Sequence, residues 1–447
     1  MLLVKKTIAV LAAWVAAGAF AASGEVVVLD GSFSPANAPE ANARALQKAL
    51  DGGGKTVCVR APGEYRLDRT IYIDDDTTLQ CASGVVFRKV GRYPQMLLNR
   101  KALVRGKTRN LVIDGLEIVC NREDMIQPPT NAVAGLRGHL GFVGIENVTI
   151  RNFKCLAYGL VGSCQYCLQF VDFRNVVVED FDIRGGKDGI HFDYGRQFVV
   201  RRGKLRTHDD GIAINAGDWP GDVTPLIGSI EDGLVEDVED LPGGKCNFAR
   251  CITGVWQDWH QGIKLQRNDL VRVGRRIYCV CPAELKRNPD GSVPEKVSSH
   301  PPTHAMGVWK SPDGINFQFL QEDGNLRADL RRVTFRNCRL AADRGICCAW
   351  EINEYARLIH PEIPKKDYPV IDIRIENCVK ETPTPLVYGG ASAKIAIENV
   401  RAAGPLVDLW KRPENWPEQL PCPYAAVQEV TAKNCVFKLS SEGAVAK

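Results

Sequence analysis

The chain reads Asp188-Gly189-Ile190-His191-Phe192 and, 22 residues later, Asp210-Gly211-Ile212-Ala213-Ile214. A short β-rich unit that recurs at this period cannot bury its own apolar face and is typical of stacked coils that cover one another. Equivalent residues of neighbouring coils then lie about 4.8 Å apart. The repeat therefore predicts an all-β solenoid in which Asp188 and Asp210 stack.

The same stretch concentrates negative charge, because Asp209 directly precedes Asp210. Three carboxylates in one small patch cannot all ionise cheaply, so at least one should hold a proton near neutral pH while another stays ionised. Glycoside hydrolysis needs this division between an acid and a base. The alternative is that each Asp-Gly is only a turn, since Gly readily takes positive φ and Asp caps its own turn. Three aspartates exceed what two turns require.

Length and composition favour one elongated repeat domain. The chain has 447 residues, 45% of them hydrophobic and 41 of them glycine. A net charge of +4 is too small at this length to give the broad positive field of a protein that binds nucleic acid or an anionic membrane. The sequence therefore predicts neither of these partners, and it contains no motif that indicates a metal or another cofactor.

The first 21 residues have the pattern of a secretory signal peptide. Lys5 and Lys6 precede an apolar run at 7–20, and small residues follow at Ala19-Phe20-Ala21. A membrane anchor is the alternative, but the run is shorter than the roughly 20 apolar residues that span a bilayer. The sequence predicts export to the periplasm or the exterior, cleavage before Ala22, and no membrane span in residues 22–447.

The N-terminal part combines one helix with short strands. Residues 37–50 predict a helix with Asn37 as N-cap and Glu40 as the capping glutamate, and a run of three glycines ends it. Strand-forming residues then cluster around the Pro62-Gly63 turn. This order, with Pro62-Gly63-Glu64-Tyr65, resembles the N-terminal cap and first coils of the pectate-lyase-like superfamily. The resemblance implies a single-stranded right-handed parallel β-helix with an N-terminal capping helix.

A second pattern supports the solenoid. Asn147-Val148-Thr149-Ile150-Arg151-Asn152-Phe153 is the clearest copy of a motif with a polar residue, three strand formers, a charged residue, Asn or Asp, and Phe or Cys. Later copies place four asparagines in one slot: Asn337, Asn377, Asn399 and Asn434. We expect an asparagine ladder at a turn, with each amide bonding the backbone of its neighbours.

Sixteen cysteines in an exported chain suggest disulfides. Four of them share one place in the repeat and are predicted to be small buried side chains: Cys155, Cys338, Cys378 and Cys435. Two pairs are close enough in sequence for local bridges: Cys164 with Cys167, and Cys246 with Cys251. The histidines are not spaced around them as in a zinc site, and the connectivity stays open.

The longest break in the repeat is residues 241–325, which include Trp256, Trp259 and Trp309. A loop of this length in an ordered fold is usually functional or disordered. Tryptophans can be platforms for sugar rings, although packing is their commoner role. Such an insertion could close one end of a cleft, which favours a short or terminal substrate.

The aspartates carry a more specific resemblance. Asp188-Gly189 followed by Asp209-Asp210 and an apolar-Ala-apolar strand is similar to the two aspartate motifs of glycoside hydrolase family 28, the polygalacturonase family. The resemblance implies an inverting hydrolase that acts on an O-glycosidic bond. It assigns Asp209 as the general acid and Asp188 with Asp210 as the pair that holds the attacking water.

The sequence departs from that family around these motifs. Gly186 and Lys187 replace the asparagine and threonine ahead of the first aspartate, and His191 replaces an acidic residue. The family's Gly-His-Gly motif is absent, and its nearest equivalent is His260-Gln261-Gly262. The family's Arg-Ile-Lys motif is echoed only by Gly262-Ile263-Lys264. The predicted substrate-binding residues are Lys187, His191, His208, His260 and Lys264.

Two other functions fit the same scaffold. A polysaccharide lyase would use the carboxylates to hold Ca²⁺ against a uronate, with a base such as Lys187, Arg196, Arg201 or Arg202 abstracting the proton α to the carboxyl group. A non-catalytic carbohydrate-binding surface protein would use the solenoid as an adhesin or fibre. Carbohydrate is the expected partner in each case, and the sequence leaves the oligomeric state open.

Overall fold

The structure is a computed structural model that describes residues 24–126, 136–157, 165–217, 226–266, 269–281, 294–350, 368–390, 393–409 and 428–438. The predicted signal peptide lies outside these residues. The described chain is almost entirely β-structure, and a long sheet of parallel strands curls around one axis. The predicted right-handed parallel β-helix is confirmed. No helix in the described ranges has the length and apolarity to cross a membrane.

Short helices accompany the strands only in the N-terminal part of the described chain. They are one α-helix, α1 (Pro39–Leu50), and two 3₁₀ helices, Arg100–Val104 and Arg122–Asp124. The strands up to the aspartates are β1 (Glu25–Leu29), β2 (Lys55–Val59), β3 (Gly63–Leu67), β4 (Ile71–Ile73), β5 (Thr78–Cys81), β6 (Val85–Lys89), β7 (Leu97–Asn99), β8 (Thr108–Asp114), β9 (Glu117–Cys120), β10 (Gly138–Ala157) and β11 (Tyr166–Gly185). Next come β12 (Ile190–Phe192), β13 (Gly195–Thr207), β14 (Ile212–Asn215), β15 (Ile230–Asp240) and β16 (Asn247–Val255).

The remaining strands form the insertion and the C-terminal coils. The insertion contains β17 (Gln257–Asp258), β18 (Ile263–Leu265), β19 (Leu270–Val273), β20 (Arg276–Val280), β21 (Lys296–Ser298), β22 (Val308–Lys310) and β23 (Asn316–Glu322). The last coils contain β24 (Arg327–Ala328), β25 (Leu330–Arg336), β26 (Arg339–Leu340), β27 (Arg344–Trp350), β28 (Ile371–Glu376), β29 (Val379–Lys380), β30 (Val387–Gly389), β31 (Ala393–Glu398), β32 (Arg401–Ala402), β33 (Val407–Leu409), β34 (Gln428–Lys433) and β35 (Val436–Phe437).

Each coil has three straight sides separated by corners. In one coil β12 forms the first side, and β13, bent at Arg202, forms the second and third sides. β13 pairs in parallel with β11 before it and β15 after it. Phe192, Val200 and Leu205 point inward from the three sides and are buried. Stacking of such coils produces one apolar core along the solenoid.

The predicted asparagine ladder is present at the corner between the second and third sides. Asn337, Asn377 and Asn399 lie on successive coils with φ of 53°, 53° and 56°. The Asn377 amide donates to Asn337 Oδ1 at 3.3 Å, Asn399 donates to Asn377 at 3.1 Å, and Asn434 donates to Asn399 at 3.2 Å. These bonds join side chain to side chain, so the expected backbone partner is wrong. Asparagine suits the corner because it tolerates the left-handed conformation.

The cysteines are buried largely as expected, although one lies in another register. Cys338 and Cys378 directly follow ladder asparagines and are buried, and Cys435 is half-buried. Cys155 is also buried but pairs with Ile183, beyond the corner, so its predicted shared slot is wrong. Cys246 and Cys251 carry free thiols. Cys164 lies outside the described residues.

The capping helix forms, but its N-cap differs from the predicted one. Helix α1 begins at Pro39, and Ala38 is an extended N-cap without a side-chain cap. Asn37 instead donates to the carbonyl oxygen of Ser32 at 3.0 Å, and Glu40 pairs with Arg44. Proline at the first turn has no N–H to satisfy, which makes a side-chain cap less necessary. The helix buries its apolar side against the first coils of the core.

The insertion starts later than the sequence predicts. Residues 241–255 still belong to the solenoid, because β16 pairs in parallel with β14 and β27. The chain leaves the solenoid at Trp256, forms a separate five-stranded sheet and a two-stranded sheet, and returns at β24. Trp256 is buried, and Trp259 donates from its indole to Ser298 Oγ at 2.9 Å. Both tryptophans therefore have packing roles.

The ladder predicts a specific order of stability at position 377. Asn377→Ala should lower the free energy of unfolding by about 1–3 kcal/mol, because it removes amide bonds and forces alanine into the left-handed region. Asn377→Gly loses the same bonds but adopts φ of 53° without steric cost, so it should be the more stable variant. Denaturant unfolding of both variants measures the difference. An alanine variant as stable as the glycine variant would contradict the conformational explanation.

Candidate active site

The three predicted catalytic aspartates lie together at one corner of the solenoid. This corner leads from the third side of one coil into the first side of the next, just before β12 and β14. The backbone N–H of Gly189 donates to the carbonyl oxygen of Asp210 at 2.9 Å. Asp188 and Asp210 therefore occupy equivalent places on adjacent coils, with Asp209 beside them.

The two glycines of the repeat are required by the close approach of neighbouring coils and not by a positive φ. Neither Gly189 nor Gly211 is among the residues with positive φ. A Cβ on Gly189 would lie 2.6 Å from the carbonyl oxygen of Gly211, and a Cβ on Gly211 would lie 2.8 Å from that of Phe248. The turn explanation based on positive φ is therefore wrong. The glycines let three coils approach closely beneath the aspartates.

A buried histidine joins two carboxylates beneath the corner. His191 Nδ1 lies 2.7 Å from Asp188 Oδ2, and His191 Nε2 lies 3.2 Å from Asp193 Oδ1. The Gln169 amide donates to Asp193 Oδ2 at 3.0 Å, and the Tyr166 ring stacks on the imidazole with 4.5 Å between centroids. All of these side chains are buried. The network fixes the orientation of the Asp188 carboxylate.

The charges in this network set the protonation of both partners. Burial disfavours the imidazolium, but the charge of Asp193 and the hydrogen bond to Asp188 outweigh it and raise the pKa of His191 to about 10. Burial also acts to raise the pKa of Asp188, yet the hydrogen bond from His191 and the charge of Lys187 hold that pKa below its usual value. Asp188 is therefore a carboxylate at neutral pH, paired with an imidazolium.

The pKa of Asp210 is shifted in the opposite direction from that of Asp188. Its pKa is raised, first by burial and then by the negative charge of Asp188. Asn247 donates to Asp210 Oδ1 at 2.6 Å, and Arg250 Nη1 lies 3.7 Å from Asp210 Oδ2. These contacts oppose the shift without cancelling it. The stacked pair thus contains one carboxyl group that favours ionisation and one that favours its proton.

Asp209 is the carboxylate that reaches the surface. Its side chain is 23% exposed, and Lys187 Nζ contacts Asp209 Oδ2 in an ion pair. This ammonium group offsets the negative charge that the other two aspartates place around Asp209. His208 is exposed next to Asp209, and its side chain makes no hydrogen bond within the described residues.

Two predicted substrate contacts do not lie at this corner. The coil after Asp210 continues through β16, which places Asn247 and not His260 next to Asp210. His260 belongs to the insertion and borders a cleft at a different corner. Lys264 is exposed and pairs with Glu295 at 3.4 Å. Their sequence similarity to the family motifs does not reflect equivalent positions.

The structure brings other residues to the site that the sequence did not indicate. Asn247 stacks on Asp210, and Arg250 follows on the outer face of the same strand. The Tyr388 hydroxyl, from a later coil, contacts Asn247 Oδ1. Asn247 lies 37 residues after Asp210, so the 22-residue repeat could not find it.

One group at the corner has the donor atoms of a metal site. Ligand atoms of Asp209, Asp210 and Cys246 lie within 4.8 Å of one another. Burial raises the pKa of the Cys246 thiol to about 11, so it is protonated at neutral pH. Ca²⁺ prefers oxygen ligands, and Lys187 already neutralises Asp209. The residues present therefore do not fit a calcium site.

Comparison with known proteins defines the fold. No protein-family model and no curated protein matches the sequence. A polygalacturonase from Erwinia carotovora ssp. carotovora matches in structure with 12% identity over 95% of this chain and 96% of that chain, at a TM-score of 0.50. An endo-xylogalacturonan hydrolase from Aspergillus tubingensis matches with 10% identity, coverage of 93% and 94%, and a TM-score of 0.45. A surface adhesin of Streptococcus pneumoniae matches with 12% identity, coverage of 93% and 92%, and a TM-score of 0.44.

These similarities show a fold and not an activity. The chain is a right-handed parallel β-helix, and its fold resembles that of a polygalacturonase. Its chemistry has to be argued from its own residues.

The buried histidine predicts an unusual titration. His191 should remain an imidazolium in the folded protein up to a pH of about 10, and NMR of the imidazole, assigned with His191→Gln, measures this. Because this pKa lies above the unfolded value of about 6.5, the stabilisation is fully present below about pH 6.5 and is lost as the pH rises towards 10. His191→Gln should cost about 3–5 kcal/mol near neutral pH, since it leaves two buried carboxylates without their cation. A signal that titrates near pH 6.5 would refute the network.

Proposed function

We propose that the protein is an exported glycoside hydrolase that cleaves O-glycosidic bonds in an oligo- or polysaccharide with inversion. The observation that carries the proposal is the stack of Asp188 and Asp210, with opposite pKa shifts, beside the partly exposed Asp209. An inverting hydrolase needs one carboxyl group that protonates the leaving oxygen and a carboxylate that activates water on the other face of the sugar. The shared fold with polygalacturonases supports this reaction class.

Exposure and hydrogen bonding assign the roles. Asp209 is the acid, because its side chain reaches the surface where a glycosidic oxygen can bind. Asp188 and Asp210 form the water-holding pair. Asp188 Oδ1 and Asp210 Oδ2 are buried and accept no hydrogen bond within the described residues, so each offers a lone pair to a water. The ionised Asp188 takes the proton from that water.

Lys187 has to change partners during the reaction. Asp209 can donate only when it carries a proton, so the ammonium group has to leave its carboxylate when the substrate binds. The lysine stem is flexible, and the Lys187 side chain is 30% exposed. We assign the ammonium to a polar group of the substrate, with Arg250, which is 34% exposed, and His208 on the same surface. His191 is a positioning residue that keeps Asp188 ionised.

The cations favour an acidic substrate. Lys187 and Arg250 flank the aspartates, and both can bind a uronate carboxylate, which supports a pectic glycan. The described part of the insertion borders a cleft at another corner and not the aspartates. The expected short or terminal substrate therefore loses its basis, and internal cleavage is the simpler expectation.

A polysaccharide lyase is the second candidate, because basic side chains do lie beside the carboxylates. Lys187 and Arg250 could abstract a proton α to a uronate carboxyl group. Arg201 and Arg202 cannot serve, since they pair with Glu179 at the asparagine-ladder corner. Arg196 lies in the cleft under the insertion.

A product assay separates the two reactions. The purified protein would be incubated with pectic and other glycans, with and without a chelator. Hydrolysis releases reducing ends, gives no new ultraviolet absorbance and is unaffected by the chelator. Absorbance from a new C=C bond, lost on chelation, would instead support the lyase. The absence of both products with every glycan would leave a non-catalytic binding protein.

Asp209→Asn should nearly abolish hydrolysis while the protein still folds. Asparagine keeps the shape but has no proton to give, so the rate on an unactivated glycan should fall at least about 10²-fold, and far less on an aryl glycoside. Asp30→Asn is the matched control, because Asp30 is exposed and remote in the fold. Near-full activity of Asp209→Asn, combined with loss of activity in Asp188→Asn, would show that the acid assignment is wrong.

A further inference from the structure

A second site lies under the insertion, away from the aspartates. It is a cleft of about 1280 Å³, above the roughly 300–1,000 Å³ of typical small-ligand pockets. One wall is the outer face of the second sides of the coils, and the other wall comes from the insertion and includes Trp256 and Arg272. Tyr194 borders the cleft beyond the end of β12, whereas Asp188 precedes that strand. None of the three aspartates lines it.

The coil wall of the cleft carries a row of charged side chains. Six of them follow one another in register, one on each coil: Arg109, Glu146, Arg174, Arg196, Glu231 and Arg331. The whole lining has seven Lys or Arg residues and four Asp or Glu residues, an excess of three positive charges. By comparison, the whole chain, with Lys5 and Lys6 of the predicted signal peptide included, has a net charge of only +4.

Within this row the positive charges are unevenly compensated. Glu146 pairs with Arg109 at 3.3 Å and with Arg174 at 3.4 Å. Arg196, on the next coil, is exposed and forms no ion pair with the described residues. Like charges directly opposite one another on neighbouring strands are destabilising. An anion bound across Arg174 and Arg196 would relieve this repulsion.

We propose that this cleft is a non-catalytic binding site for an acidic glycan chain, with a sugar carboxylate bound by Arg196 and Arg174. A guanidinium group binds a carboxylate through two parallel hydrogen bonds. The row spans six coils, about 24 Å at about 4.8 Å per coil, which suits several sugar residues better than a single small anion.

Uncharged groups in the cleft support a sugar over other polyanions. Ser229, Gln257 and Asn325 lie among the charged residues and can bond to hydroxyl groups. Single-stranded nucleic acid needs exposed aromatic rings for base stacking, but Trp256 and Phe173, which line the cleft, are buried, and Tyr194 is only partly exposed. The choice of a glycan rests on the proposed function, whereas the anion preference rests on the cleft alone.

Binding measurements test the site with two variants, one that removes a positive charge and one that removes a negative charge. Full-length protein with Asp209→Asn, which blocks turnover, would be titrated by calorimetry with a uronic acid oligosaccharide and its methyl-esterified neutral form. Arg196→Gln should weaken the affinity for the acidic oligosaccharide about tenfold or more, which is the scale of one charged hydrogen bond. Glu146→Gln should strengthen it, because Arg109 and Arg174 lose their competing carboxylate. Arg66→Gln, on β3 and outside the cleft, removes the same charge and should change nothing.

Three outcomes would overturn the proposal. Unchanged binding in Arg196→Gln would place the glycan elsewhere, and an equal loss in Arg66→Gln would show unspecific charge attraction. A single-stranded DNA oligomer that binds as tightly as the glycan would make the partner a nucleic acid. The hydrolase proposal fails separately, because wild-type protein without hydrolytic products can still show binding that depends on Arg196.

Discussion

Parallel backbone pairing between consecutive coils, kept in register at their corners, is the constraint on which the structure depends. It stacks Asp188 on Asp210 and Asp210 on Asn247, because the N–H groups of Gly189 and Gly211 donate to the carbonyl oxygens of Asp210 and Asn247. The same register places Arg174 beside Arg196 on the other corner. A slip by one residue would turn each outward side chain into the core. In the C-terminal coils the asparagine ladder, which tolerates positive φ and bonds along the axis, favours this register.

A solenoid brings like residues together, so its charged corners need dedicated counterions. Asp188 has the buried imidazolium of His191, and Asp210 has Asn247 and the guanidinium of Arg250. Asp209 has the ammonium of Lys187. The cleft under the insertion differs, because Arg196 forms no ion pair with the described residues. Glu231, its neighbour on the next coil, pairs with Arg331 instead. Each aspartate at the first corner has a nearby partner, although Asp210 keeps a raised pKa, whereas the cleft lining carries an excess of positive charge. The two corners therefore point to different tasks.

The sequence predicted the contacts between coils that a recognisable motif marks. The 22-residue echo indicated the fold and the stacking of Asp188 on Asp210, and the shared slot indicated the ladder from Asn337 onward. It failed where no motif marks a contact between neighbouring coils, as for Asn247, which contacts Asp210 across 37 residues. His260 was matched to a family motif by sequence alone. The strand that follows Asp210 on the next coil is β16, as its backbone hydrogen bonds to β14 show, and β16 does not contain His260. The roles of the aspartates stay predictions.

The three carboxylates differ most in how easily their partners can move. Asp188 and Asp210 are held by groups packed within the coils, and each residue is no more than 3% exposed. Asp209 is held by a surface lysine on a flexible stem. A substrate can therefore compete for the Lys187 ammonium without disturbing the core, while the buried pair keeps its geometry. This asymmetry gives the corner one adjustable group above two fixed ones, which is the arrangement that a reaction triggered by substrate binding requires.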